Sequence, residues 1–305
     1  MCRVVGYIGR PLNVEYILYE TDSSLVAQVH SPQMTAILNL AGFGMAAWDE
    51  TSLRPDEPFL YRSTTLPAFD RNLRSLSRKI EARCLLAHVR GVMDAEEGIV
   101  SEQNLHPFCF RGAGVILAHN GHLRDFSRMR FDLAEHIRPE LMTSIVGTTD
   151  SEWLYALVLS QLADPFGTPE ADELIHAIVK TLSIVRQVRS RRGIDTSSPV
   201  NLFVTTGRCL VATRFSFDYG WYPDDDPLLE VDLPYVSLWY TLGGRYVEHG
   251  GGWEMVGDGP AESFLISSEP LTRDISTWLE VPEYSALSAS FRDGVIEVEC
   301  RDLDV

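Results

Sequence analysis

The chain has 305 residues, of which 45% are apolar, enough for a substantial core, and its 26 basic against 43 acidic side chains give a formal charge of −17. That charge argues against nucleic acid or an anionic membrane as a partner, and no apolar run approaches the ~18 residues needed to span a bilayer. The five cysteines (Cys2, Cys84, Cys109, Cys209, Cys300) are scattered, with no CxxC pair and no zinc-site spacing, so neither a disulfide framework, a metal nor another cofactor is signalled, and a cytoplasmic location is expected.

Residues 3–9 read as a strand broken by Gly9-Arg10-Pro11-Leu12, and residues 14–19 as a short helical turn. A run over 36–48 contains Gly42-Phe43-Gly44, glycines that mark a bulge or the close approach of another backbone. Residues 49–66 read as an exposed loop and 69–81 as helical. A strand over 85–90 precedes an acidic loop over 94–102, and a strand over 114–119 stops at Asn120-Gly121, a dipeptide that favours a turn. The segment 123–138 is amphipathic, Thr149-Asp150-Ser151-Glu152 opens a helix, and another helix covers 171–188 before a basic, surface-type loop over 189–193. Strands follow over 200–205, 209–215, 235–240, 263–267, 285–291 and 295–300, with Asp224-Asp225-Asp226 and Gly250-Gly251-Gly252 as loops. No repeat or linker divides the chain, and residues 2–305 are read as one domain.

The second residue carries the chemistry. If Met1 is trimmed, as is common before a small residue, Cys2 presents a thiol and an α-amino group on one carbon. Such an amine ordinarily titrates at roughly 7.7–8, so it can take the thiol proton and return it to a leaving amine without a separate base. Four strings stand with it: His88-Val89-Arg90-Gly91, Asn104-Leu105-His106-Pro107-Phe108, Ala118-His119-Asn120-Gly121-His122-Leu123 and Gly147-Thr148-Thr149-Asp150-Ser151-Glu152. Attack on a carboxamide creates an oxyanion that needs preorganised donors, which the Asn120 side chain and the Gly121 N–H can supply. A glutamyl group ends in a carboxylate and an ammonium. Arg90 has the planar fork that suits the first and Asp150 the charge that suits the second. Plain alternatives exist: a hairpin turn for Asn120-Gly121, a surface ion pair for Arg90 and a helix N-cap for Asp150.

In this order behind a penultimate cysteine, the strings resemble the class II glutamine amidotransferases, which are N-terminal-nucleophile hydrolases. They resemble in particular the stand-alone branch that includes ergothioneine-pathway γ-glutamyl amidohydrolases. The likeness covers residues 2 to about 155 and returns in Ser267-Ser268-Glu269-Pro270-Leu271 and Trp278-Leu279-Glu280-Val281-Pro282. It implies an α+β fold, a four-layer αββα sandwich, with Cys2 as nucleophile, Asn120 and Gly121 as oxyanion donors, and Arg90, Asp150 and His106 on the substrate side. His106 has bracing of its loop as the alternative, His88 and His119 are read as structural, and Gly42-Phe43-Gly44 as a packing element. Synthase-linked relatives follow the arginine with a Thr-His pair, where this chain has Gly91-Val92-Met93-Asp94, which leaves open how the carboxylate end is completed and whether free glutamine is preferred. With no synthase domain expected, the reading is a cysteine amidohydrolase acting on a small-molecule γ-glutamyl amide. The alternatives are a glutaminase subunit that passes ammonia to a partner protein, and a non-catalytic binding protein of the same fold.

Overall fold

A computed structural model describes residues 2–34, 38–91, 99–219 and 236–305. Residues 92–94 of the departure after Arg90, most of the expected acidic loop, Asp224-Asp225-Asp226 and the start of the expected 235–240 strand lie outside these residues. The strands in chain order are β1 (Arg3–Asn13), β2 (Phe43–Trp48), β3 (Phe59–Ser63), β4 (Glu81–Val89), β5 (Ile116–Gly121), β6 (Ser198–Thr205), β7 (Cys209–Arg214), β8 (Ser216–Phe217), β9 (Trp239–Gly243), β10 (Arg245–His249), β11 (Gly252–Val256), β12 (Ser263–Ser267), β13 (Leu279–Glu280), β14 (Ser285–Arg292) and β15 (Val295–Asp302). The α-helices are α1 (Arg71–Ser77), α2 (Phe126–Ala134), α3 (Pro139–Met142), α4 (Asp150–Gln161) and α5 (Ala171–Arg192).

One sheet runs β13-β9-β12-β1-β4-β2-β3 and the other β15-β14-β7-β6-β5, with β8 added to β6. Side-chain alternation along the strands builds the layers. Val4 and Ile8 of β1, Leu86 of β4, Ala118 of β5, Phe203 of β6 and Leu210 of β7 meet between the sheets. Val5 and Tyr7 of β1 turn outward onto a layer made of a five-residue π-helical turn (Tyr16–Glu20), a 3₁₀ turn (Ala27–Val29) and α1. Leu117, Leu202 and Val211 turn outward from the second sheet under α2, α4 and α5. The result is the expected α+β sandwich of four layers. Burying each Leu, Ile or Phe of these interfaces contributes about 1.5–3 kcal/mol.

Several local expectations are corrected. β1 continues through Arg10 and Pro11 to Asn13, because β4 keeps pairing with it past an irregularity between Ile8 and Leu12. The 49–66 segment contains β3, which pairs with β2 from Phe43↔Ser63 to Ala47↔Phe59. The basic 189–193 segment stays at the surface from residue 190 onward, with Arg191 and Arg192 exposed, but it is not a loop. It is the last turn of α5, closed by Gly193 in the left-handed conformation. Arg189 is buried, donates to the Ser198 hydroxyl at 2.8 Å and pairs with Asp218 at 3.0 Å, while Arg192 grips Asp132 through two nitrogens. The glycines at 250 and 251 turn the hairpin β10–β11, which alternation alone did not reveal.

Candidate active site

Strand parity brings the predicted residues together. On β4 the even-numbered Cys84 and Leu86 face the inter-sheet space, as do Val4 and Ile8 on β1 and Ile116 and Ala118 on β5. Carried one step further, that alternation sends Cys2, Arg90 and Asn120 into the same space at one end of the sandwich. The antiparallel register Arg3↔Val89 sets Cys2 across from Arg90. Asn120 and Gly121 form the end of β5, paired with Asn201 and Val200 of β6, and not a hairpin turn. Pairing with a long neighbour overrides the turn preference of the dipeptide. Gly121 is required there by close approach, since a Cβ would fall on the Pro199 carbonyl oxygen.

Cys2 is 7% exposed. Its nitrogen donates to Asn120 Oδ1 at 3.1 Å, and its sulfur lies 3.4 Å from the Gly91 N–H, which donates to it, and 3.7 Å from the Gly91 carbonyl. Arg90 is held from both sides of its backbone, accepting from the Ala41 N–H and donating to the Gly42 carbonyl, and its Nη1 donates to the Ile99 carbonyl at 2.8 Å. Burial pulls the Arg90 guanidinium below its ordinary value, while Cys2 and Asp150 pull it back up, so all three share one electrostatic site.

Asp150 is the first residue of α4, but Thr149 is the cap: its hydroxyl accepts from the Glu152 N–H at 3.4 Å. The Asp150 carboxylate is thereby left to face the site. Oδ2 accepts from the Leu123 N–H at 2.6 Å and Oδ1 from the Ser151 hydroxyl at 3.0 Å. The same hydroxyl lies 2.9 Å from His119 Nδ1, which ties the histidine to the start of α4.

His106 is 3% exposed, and neither of its ring nitrogens finds a hydrogen-bond partner among the described residues. Its ring packs against His88 at 4.1 Å and Phe108 at 4.6 Å between centroids. Its carbonyl lies where a Cβ on Gly44 would fall, which gives Gly42-Phe43-Gly44 the expected packing role. His88 Nε2 donates to the His119 carbonyl at 3.3 Å. Among the described residues no three His, Cys, Asp or Glu side chains converge as metal ligands.

These three histidines are buried in neutral form. Burial lowers His88 to about 3, holds His106 well below its ordinary value and lowers His119. In the unfolded chain each binds a proton near pH 6.5, and in the folded chain His88 does so only near 3. The His88 contribution is therefore complete above the unfolded value and is lost as pH falls toward 3, at about 1.4 kcal/mol per pH unit, and His106 and His119 add to the loss in the same direction. Urea midpoints measured from pH 7 down to pH 4 should fall, and His88→Gln should flatten that dependence; parallel curves would show that His88 is not the cause.

Two groups carry roles that the sequence did not disclose. Arg3 Nη1 donates to the Cys2 carbonyl at 3.0 Å, and its Nε lies 3.5 Å from Glu269 Oε1 in a buried ion pair. The Glu269 carboxylate also accepts from the Gln33 and Met34 N–H groups at 3.1 and 2.9 Å. Glu269 stands in the Ser-Ser-Glu-Pro-Leu string, but its partner at Arg3 is too distant in the chain for spacing to show.

The comparisons agree with this architecture. The model of the class II glutamine amidotransferases matches residues 36–218. A Saccharomyces cerevisiae protein described as "Probable glutamine amidotransferase DUG3" is 28% identical over 307 residues, covering 94% of this chain and 81% of the yeast protein. Among solved structures, a glutamine aminotransferase class-II domain protein from Silicibacter pomeroyi superposes with a TM-score of 0.60 at 20% identity over 99% of this chain and 100% of its own. The glutamine phosphoribosylpyrophosphate amidotransferase of B. subtilis gives 0.56 at 17% identity, covering 98% of this chain and 49% of that one. The family match extends over more than half of the chain and these structures share its stacked sheets, so the protein belongs to the class II glutamine amidotransferases, a family of amide-hydrolysing enzymes.

Proposed function

We propose that this chain is a cysteine-dependent amidohydrolase that cleaves a γ-glutamyl amide through a γ-glutamyl thioester, releasing an amine and then glutamate. The observation that carries the reading is the meeting of Cys2, Asn120, Arg90 and Asp150 at one end of the inter-sheet space. With Met1 removed, the leading amine takes the Cys2 proton as sulfur bonds to the γ-carbon, and the carbonyl electrons move to oxygen. Asn120 Nδ2 has a second hydrogen for that oxyanion, and the Gly121 N–H is the other donor in this reading. The C–N bond then breaks with the proton returned to the departing amine. A water deprotonated by the same α-amino group splits the thioester. Arg90 takes the α-carboxylate and Asp150 the α-ammonium. His106, with its ring enclosed, serves as wall in this reading and not as a direct ligand.

A second reading, in which free glutamine is hydrolysed and ammonia passes to another protein, draws on the descriptions of the yeast and B. subtilis proteins as amidotransferases. Parallel assays with glutamine and with a γ-glutamyl amide of a bulkier amine decide between them. The proposal expects glutamate from the bulkier amide at a kcat/KM at least about tenfold above that for glutamine. The reverse preference supports ammonia supply. Intact mass before and after a glutamine-like diazoketone should show loss of Met1 and a single adduct on Cys2, and an unlabelled or Met1-bearing active protein overturns both readings.

A further inference from the structure

The contact between the Cys2 nitrogen and Asn120 depends on which end of the Asn120 carboxamide faces the nucleophile, and a carboxamide alone can present either. Ser268, the residue directly after β12, removes that freedom. Asn120 Nδ2 donates to Ser268 Oγ at 3.1 Å, and the Val4 N–H donates to the same oxygen at 3.0 Å. Ser268 is itself held, its N–H donating to the Val4 carbonyl at 2.9 Å and its carbonyl accepting from the Ser237 hydroxyl at 2.7 Å. It is 4% exposed, so water does not compete for these contacts. The Val4 N–H can only donate to Oγ, and the single hydroxyl proton is directed at the Val4 carbonyl, 3.5 Å away, so what Oγ has left for Asn120 is a lone pair; this favours the NH₂ end of Asn120 toward Ser268 and leaves Oδ1 for Cys2.

We infer that Ser268 is a positioning residue for the reaction proposed above, orienting the Asn120 carboxamide so that its oxygen holds the leading nitrogen beside the thiol while the second Nδ2 hydrogen stays available to the oxyanion. The inference rests on that reaction for its kinetic consequence, but the orientation itself can be measured without any substrate. Ser268 is a step removed from the thiol: its hydroxyl reaches the nucleophile through Asn120, while its backbone bond to Val4 is kept whatever side chain stands at 268. Without the hydroxyl, Nδ2 loses its buried acceptor. A rotated carboxamide would then oppose its own N–H groups to those of the Cys2 nitrogen.

The test uses the full chain, with Cys2 shown by intact mass to be the leading residue, in wild-type, Ser268→Ala and Ser268→Thr forms. Expected for Ser268→Ala is a kcat on the γ-glutamyl amide reduced about tenfold with KM within about twofold, and Cys2 alkylation by iodoacetamide slowed by a similar factor. Ser268→Thr, which keeps the hydroxyl, should restore both to within about threefold of wild type. If Ser268→Ala gives no soluble protein, Ser268→Cys, a weak acceptor of similar size, is read in the same way. A wild-type kcat and alkylation rate in Ser268→Ala overturn the inference. A threonine variant as slow as the alanine variant also overturns it, since that shows a packing role. Failure of the wild-type protein to cleave any γ-glutamyl amide sinks the proposed function instead, and the alkylation rates still report on Ser268.

Discussion

Cys2→Ala should abolish glutamate release, lowering kcat on the order of 10⁴-fold or more, while the circular dichroism spectrum and the urea midpoint stay close to wild type. Both halves follow from the structure. The side chain removed is a single sulfur at the head of β1, 7% exposed and bonded only weakly to Gly91, so little packing is lost. The Cys2 nitrogen that Asn120 holds belongs to the backbone and survives the substitution. With no nucleophile, the positions of Arg90 and Asp150 should still bind a γ-glutamyl amide. Calorimetric binding of an uncleaved substrate by this variant would therefore separate loss of chemistry from loss of the site. Unchanged turnover in Cys2→Ala would return the chain to the non-catalytic binding reading.

Glu269→Ala should cost about 3–5 kcal/mol of stability, the penalty of leaving one member of a buried ion pair uncompensated. The side chains of Arg3 and Glu269 are 3% and 1% exposed, and Glu269 also satisfies the Gln33 and Met34 N–H groups. Arg3 in turn grips the Cys2 carbonyl. The loss should therefore extend to kcat, since the nucleophile is then tethered on one side by an arginine without its counter-charge. The double variant Arg3→Met/Glu269→Met should be more stable than Glu269→Ala, because it removes both charges. Denaturation of the set at one pH tests this; a Glu269→Ala midpoint equal to wild type would show that Arg3 finds another partner.

The sequence was informative where a residue type is tied to a chemical task, and uninformative where the task is defined by a distant neighbour. Cys2, Arg90, Asn120 and Asp150 could be named because amide cleavage asks for a nucleophile, an oxyanion donor and a charge at each end of a glutamyl group. Their strand-end settings follow from simple alternation. The Asn120-Gly121 dipeptide reads as a turn only until β6 is placed beside it. Arg189 reads as solvated because its partner Asp218 lies far away in the chain, whereas Arg192 keeps its exposed setting even while paired with Asp132. β3 was hidden by the turn-forming residues that precede it. Ser268 and Glu269 were visible as a string but carried no role, because Val4, Asn120 and Arg3 are separated from them by more than a hundred residues.

The pairing of β1 with both β4 and β12 has a consequence for biosynthesis. Translation delivers Cys2 at the outset, whereas β12 and Ser268 emerge only after more than 260 residues have been made. Until that late strand docks, β1 has no neighbour on that side and Asn120 has no Ser268 to orient its carboxamide toward the Cys2 nitrogen. The surroundings of Cys2 are therefore completed late in synthesis, by contacts that reach across more than 260 residues of chain.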